Sequence, residues 1–503
     1  MKHSDHEKAR VQDMTTGNPI KLILAFSLPL LIGNIFQQVY SMVDTMVVGH
    51  TLGDQAIAAI GATTTLYQLI INFAWGLNNG YAIVVTHRFG AHDLRSMRQA
   101  IAGMMMLDAG MTAILSVLSL VFLQPLLTFM NTPAAIFQDA YQYIAIIYAG
   151  MAATIGYNML AGILRAMGNS RSPLYFLIIS SVLNIVLDIL LVAVADMGVA
   201  GAAIATVFSQ GFSFVCCVVF LWRSRHEMDF EVSLSDFLHP KMEYLSPLTK
   251  LGIPMAIKSA SIHFSKLFVN SWINSYGVAV SAFAGVANKL ASVSNLISNA
   301  MNTAGSTMVG QNIAAGEFDR VRSILFHLAK ITLSVSTFIS LVLVIFPEPV
   351  FRLFNDDAEG LAIAMKFVPI GVLLFYGSAL RAIMNALING SGNHRINFVT
   401  AILDGIVMRI GLSILFGLTL DIGHSHGVED TDEPFFSRHD DRLIHMHGHD
   451  GAGKKNHLAL GDGEIDLRER LAWAKRREAR VVLETKTIAA LRTSVARLPE
   501  FLP

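Results

Sequence analysis

Charge is what this sequence has least of. Only 15% of its 503 residues are Asp, Glu, Lys or Arg, against 53% hydrophobic, and the mean hydropathy is +0.52. Soluble domains carry roughly a quarter charged residues, so a soluble globular class is excluded for most of the chain. The scarcity is also uneven, since 28 of the 74 charges lie after Leu420. Cysteine is nearly absent: Cys216 and Cys217 are adjacent within an apolar stretch, which excludes a disulfide framework and reads as small packing residues. No cleavable signal peptide is evident, because about eighteen largely polar residues precede a first apolar run that is long enough to span a membrane. The net charge is zero and points to no charged partner; a nucleic-acid partner is not expected.

Long apolar runs stand where the charges are missing. Eleven of them suffice to cross a hydrocarbon core of roughly 30 Å: about 20–47, 56–86, 97–127, 134–165, 173–194, 199–222, 247–274, 279–312, 322–346, 359–390 and 396–419. An all-α, multi-pass membrane fold follows. Cations cluster in alternate connections, with Arg88, Arg95, Arg98, Arg165, Arg171, Arg223, Arg225, Arg320, Arg322 and Arg395, whereas the opposite connections hold little beyond Arg352. The positive-inside rule therefore places the N-terminus in the cytoplasm.

The chain also repeats itself. An offset of 224 residues lays Gly168-Asn169-Ser170-Arg171 on Gly392-Asn393-His394-Arg395, and Asp93 to Ile101 on Glu317 to Leu325, without a gap. With one residue of slip, Ser27-Leu28-Pro29 falls on Gly252-Ile253-Pro254. Two homologous six-helix bundles with pseudo-two-fold symmetry are implied, the plan of transporters that hold substrate between repeats. The organisation expected is an N-terminal lobe over 1–222, a cytoplasmic linker over 223–246, a C-terminal lobe over 247–420, and a polar, His-rich tail over 421–503. The second lobe is one helix short: the offset maps helix six onto 423–446, where the chain is too polar to span.

Ionisable groups within apolar runs are candidates for function, because each costs several kcal/mol unless it faces a polar interior. In the first lobe these are Asp44, Asp108 and Asp188, with Asn184 one helical turn before Asp188 and on the same face. Two carboxylates, an amide oxygen and the hydroxyl of Thr206 offer hard oxygen ligands to sodium. Alternatively, two neighbouring carboxylates repel, and one of them becomes a proton carrier.

At these residues the sequence resembles the MATE family, the multidrug and toxic compound extrusion transporters. The resemblance covers roughly 15–420. It rests on Val43-Asp44-Thr45 with Gly49, on Ala58-Ala59-Ile60-Gly61, and on Leu164-Arg165-Ala166-Met167-Gly168-Asn169. Asn184-x-x-x-Asp188 and Gly198-x-x-Gly201-Ala202-Ala203-x-Ala205-Thr206 complete it. It implies export of organic, often cationic and amphipathic compounds in exchange for Na+ or H+, by a monomer in the lipid bilayer that is not an enzyme and needs no cofactor beyond the coupling ion. By residue matching, Asp44, Asn184, Asp188 and Thr206 are the coupling-ion site, and Gln37 and Asn158 line the substrate cavity. The second lobe departs from the family's other main pattern: helix seven carries Lys258, His263 and Lys266, and helix ten has no carboxylate at its middle. Lipid-linked oligosaccharide flippases of the same superfamily, with a more basic cavity, are the alternative, as is a membrane protein that does not transport because its last helix is missing.

The tail invites two readings that do not hold up. His424-x-His426 and His445-x-His447-x-His449 alternate as metal ligands on a strand would, and Gly448 to Lys455 lies one residue from a phosphate-binding loop. That loop lacks the Ser/Thr for magnesium and a preceding apolar strand; no metal or nucleotide is expected. Apolar residues at helical spacing from Ile465 to Leu498 predict a solvated amphipathic helix.

Overall fold

The computed structural model describes residues 11–502 apart from 226–235, 238–240, 275–277, 353–364, 366, 412–418, 422–444, 449, 453–454, 464, 477–479 and 484–487. The first repeat contains α1 (Pro19–Leu52), α2 (Asp54–Gly90), α3 (Leu94–Val121), α4 (Leu123–Phe129), α5 (Ala134–Ala149), α6 (Met151–Ala166), α7 (Arg171–Asp188) and α8 (Gly198–Arg223). Local chemistry sets the ends. Asn18 caps α1, its Oδ1 accepting from the Ile20 and Lys21 N–H groups at 3.0 and 3.3 Å, with Pro19 at the first helical position. Gly53, at φ +79°, turns the chain into α2.

The second repeat supplies α9 (Met242–Asn274), α10 (Val278–Ala314), α11 (Phe318–Ile345), α12 (Pro347–Arg352), α13 (Val368–Gly390) and α14 (His394–Ile402). The internal repeat is visible at the level of single hydrogen bonds. Gly168 and Gly392 both take positive φ, and the following asparagines cap the next helix in the same way. Asn169 Oδ1 accepts from the N–H groups of Arg171 and Ser172, and Asn393 Oδ1 from those of Arg395 and Ile396.

Among the described residues, seven helical segments are long and apolar enough to cross a membrane: α1, α2, α3, α7 with its π-helical continuation Ile189–Val194, α8, α11 and α13. The run expected as one span over 134–165 is α5 and α6, which together are long and apolar enough to cross and are bent by 46° at the break between them. Gly150 makes the bend, and Val207 of α8 fills the space a side chain there would need. The helices α9 and α10 have 33 and 37 residues. The eleventh expected run is described only as α14 and a π-helical turn, Leu403–Met408; its remainder to 419 lies mostly outside the described residues.

Exposure is inverted relative to a soluble bundle. Val117, Val121, Phe129, Phe208 and Trp222 point outward, while Ser180, Ser181, Ser209, Ser213 and many alanines are buried. Lipid tolerates that surface, and small residues let helix backbones approach. By packing the chain falls into two compact units, Met1–His263 with Lys289–Val350 and Met365–Ile402, and Phe264–Asn288 with Phe351–Ala364 and Leu403–Pro503. Within the first, the repeats exchange their leading helices. The start of α1 (Leu22, Ile23, Phe26) packs with Met301, Met308, Ile324 and Leu328 of the second repeat, and the start of α9 (Leu248, Leu251, Met255) packs with Leu77, Tyr81, Met97 and Met104 of the first.

In the second unit, three short parallel strands, β1 (Thr419–Asp421), β2 (His445–Gly448) and β5 (Arg480–Leu483), pair in that order, and β3 (Asp450–Ala452) and β4 (Lys455–Leu458) form a separate antiparallel pair. The stretch expected as one amphipathic helix is divided into α15 (Leu467–Arg476), β5 and α16 (Ile488–Phe501). The reason is Val481-Val482, a β-branched pair that favours the pleated sheet. Leu467 and Ala474 are buried against Leu460, Val481 and Leu498 rather than solvated. Gly448 to Lys455 runs from the end of β2 through β3 to β4, so no helix follows it as a phosphate-binding loop requires. His424 and His426 lie outside the described residues.

Candidate ion and substrate site

The first repeat brings two acids together from opposite ends of its sequence. Gly33 lets α1 lie against Leu174 and Leu177 of α7, and that contact carries Asp44 of α1 to Asp188, the last residue of α7 before its π-helical turn. Asp188 is fully buried and Asn184, one turn earlier, is 2% exposed; Asp44 is half-buried. The two carboxyls approach within hydrogen-bonding range of each other. Even so, Asp44 Oδ1, both oxygens of Asp188 and both polar atoms of the Asn184 amide have no geometrically sound hydrogen-bond partner. Oxygens left unpaired in an apolar interior cost free energy, and a cation or a proton placed among them relieves that cost. Their chemistry fits hard monovalent cations, whose ligands are oxygens.

Two tyrosines that the sequence reading passed over, Tyr40 and Tyr143, stand beside the pair, and a third, Tyr67, adjoins those two. Tyr40 on α1 and Tyr143 on α5 lie close enough to interact electrostatically with both carboxyls, and Tyr67 on α2 joins them while pairing through its hydroxyl with Thr154 on α6. Tyr40 stands four residues before Asp44, one helical turn, and that spacing was the signal available for it. Of the remaining expected residues, Asn158 donates through Nδ2 to the Thr154 carbonyl at 2.8 Å, which sets it one turn from the Tyr67 contact. Gln37 is exposed on α1. Thr206 is half-buried on α8, and no hydrogen bond joins its hydroxyl to the carboxyls. Asp108 is separate from the pair: it is buried on α3 beside Asn78 of α2.

The second repeat holds cations in its interior. Lys258 on α9 turns into the bundle, its Nζ donating to Asn385 Oδ1 on α13 at 2.8 Å, and Arg381 on α13 donates to Asn295 of α10. Lys266 is exposed. In the second unit, Asp404 pairs with Arg409 at 3.5 Å.

The fold and the site define a multi-pass membrane protein of two repeated helical bundles with a polar, carboxylate-bearing interior. The MatE family model matches residues 29–190 and 254–427, one segment per repeat, and the chain belongs to that family of multidrug efflux transporters. A probable multidrug resistance protein of Bacillus subtilis, YpnP, is 28% identical over 423 residues, which cover 83% of this chain and 94% of YpnP. A protein of Shewanella oneidensis named as an FAD transporter is 24% identical, covering 72% of this chain and 82% of its own length. Among solved structures, a MATE protein in complex with the ligand MaL6 superposes with a TM-score of 0.72 at 23% identity, over 81% of this chain and 91% of that one. A Pyrococcus furiosus transporter, whose structure is described as having a binding pocket of reversed polarity, superposes with the same TM-score at 23% identity, over 82% and 91%. These likenesses support the two-bundle membrane fold.

Proposed function

We propose that this chain exports organic cations by antiport against Na+ or H+, with Asp44, Asn184 and Asp188 holding the coupling ion, Thr206 adding a ligand, and Gln37 and Asn158 lining the cavity. The observation that carries the reading is the facing of Asp44 and Asp188, with unpartnered oxygens, inside an apolar bundle. If drug and ion compete for that pair, linkage requires each to weaken the other's binding equally, and rocking of the two repeats about the site then alternates its access. The N-terminus lies in the cytoplasm, by the distribution of basic loops, and the working unit is a monomer. The test is flux: proteoliposomes loaded with ethidium and given an imposed Na+ or H+ gradient should export the dye with the gradient and not without it. Equal flux with and without either gradient removes the antiport reading.

A second reading is favoured by Lys258 and Arg381, cations held inside the second repeat. On it the substrate carries an anionic group, as a lipid-linked oligosaccharide does. Flux of an anionic dye exceeding that of ethidium in the same vesicles would select it, and absence of any flux would select a chain that does not transport.

A further inference from the structure

The residues that precede α1 form a strap across both repeats. Met14 is fully buried, in one cluster with Phe26, Met308 and Val309. Its N–H donates to Gln311 Oε1 on α10 at 3.0 Å, and its carbonyl accepts from Asn312 Nδ2 at 3.1 Å and from the Arg320 guanidinium at 3.3 Å. Arg320 also donates to the Thr16 carbonyl at 2.8 Å. These ties all go to the second repeat. Two residues earlier the strap is tied to the first: the Gln12 N–H donates to the Met167 carbonyl at 3.2 Å, and Val11 packs on the cluster that contains Leu160 and Met167. Gly168, at φ +86°, leaves no room for a side chain beneath the Gln12 carbonyl. Gln311 closes the arrangement, since it is fully buried and its Nε2 donates to the Ala166 carbonyl at 3.0 Å.

The same face holds several close approaches between the repeats. Gly90 at the end of α2 abuts the Gln311 backbone, Gly310 abuts Thr86, and His87 Nε2 lies 2.7 Å from the Gly390 carbonyl. Asp44 lies 25 residues along α1 from Pro19, about 37 Å at 1.5 Å per residue, so this seal and the carboxylate pair stand toward opposite ends of the span. Separating the repeats here must break one set of these ties, either those of Met14 and Thr16 to the second repeat or that of Gln12 to the first. A short segment anchored on both sides therefore sets how readily the face opens.

We infer that Val11–Thr16 is a latch: docked, it holds this face of the transporter closed, and its withdrawal is a step of the cycle that opens the cavity to the side of the N-terminus. The role of that step rests on the antiport reading above; the closure itself does not. The reporter is Thr86→Cys, buried against Gly310 of the second repeat, in a chain with Cys216→Ala and Cys217→Ala, labelled by a membrane-impermeant maleimide in nanodiscs, where both faces meet the reagent. Met14→Ala, and separately deletion of residues 2–16, should each speed labelling by about tenfold or more, as expected when local opening becomes easier. Met14→Ala is the mild variant that keeps the test decisive if the deletion fails to fold. Labelling unchanged in Met14→Ala overturns the latch. In proteoliposomes, tethering Met14→Cys to Met308→Cys with a flexible bis-maleimide should stop ethidium export, and export at the untethered rate also overturns it. If labelling responds as expected while even the parent chain exports nothing, the latch stands and the export reading falls.

Discussion

Asp188 sits fully buried, one turn from Asn184, with neither of its carboxylate oxygens hydrogen-bonded. A residue that only braced the fold would be served better by an apolar side chain, since removing a buried, unsatisfied polar group is often neutral or stabilising. Asp188→Asn is therefore expected to cut gradient-driven ethidium efflux at least about tenfold while leaving the melting temperature unchanged or higher, an effect confined to the coupled step. Asp44→Asn should match it, and the double variant should lose little more than either single one, because residues of one site do not add. Parent-level efflux in either single variant removes that residue from coupling. Lys258 gives the opposite expectation: its Nζ donates to the Asn385 amide, and Lys258→Gln retains a hydrogen-bonding group. Cationic dye export in Lys258→Gln, and in Lys266→Gln, should stay within about threefold of the parent, while a gain for cations with loss of anionic dyes would favour the second reading. Of these residues, both acids, Asn184 and the lysines were legible, because a charge or amide in an apolar run stands out. The tyrosines were not: Tyr40, Tyr67 and Tyr143 look like ordinary amphipathic packing until α1, α2 and α5 are brought together.

Glycine decides how closely the helices approach one another. An added Cβ at Gly80 of α2 would stand 2.6–2.7 Å from backbone atoms of Leu251 and Gly252 on α9, and one at Gly76 would stand 2.5–2.9 Å from Met255 and Ala256. Backbone does not yield as a side-chain tip does, so Gly80→Ala should cost about 1–3 kcal/mol, the range for overpacking a filled core, read as a lowered melting temperature in detergent. Gly61→Ala is the internal comparison, since nothing lies within 4 Å of its added Cβ, and it should be near neutral. If the two variants melt alike, the close crossing of α2 and α9 is not what holds them. The apolar runs placed the starts of α1, α2 and α3 within about three residues and the paired Gly168-Asn169 and Gly392-Asn393 turns stood out as a repeat, whereas the Asn18 and Asp93 caps went unread. The bend at Gly150 was not legible either, because a glycine inside an apolar run reads the same whether it passes straight through or is occupied by a neighbour such as Val207.

For the molecule as a whole, the second repeat ends differently from the first. In the first, α7 and α8 close the bundle; in the second, α14 is followed by a π-helical turn and then by the strands and helices of the tail. Asp404 and Arg409 meet each other there at 3.5 Å, which offsets part of the few kcal/mol that each charge costs in lipid. Grafting an apolar helix of about twenty residues, the length of one span, after Gly423 should raise the melting temperature in detergent and increase efflux. Equal stability and activity of the original and grafted chains would mean that the ion pair and the tail already supply the cover.

Composition and periodicity by themselves determined that the membrane part of the chain is all-α and built of two related halves. Burial in lipid demands long apolar runs, and a duplication leaves its turns in register however the helices pack. Spacing on one helix face likewise determined the kinship of Asn184 and Asp188. Only the tertiary structure decided that Asp44 meets Asp188, that Tyr40 and Tyr143 stand beside them, that Lys258 reaches Asn385, and that Met14 is buried against the second repeat. Each of these is a contact between residues that are distant in sequence, made by backbones whose approach depends on what lies opposite, and local propensity carries no record of the opposite side.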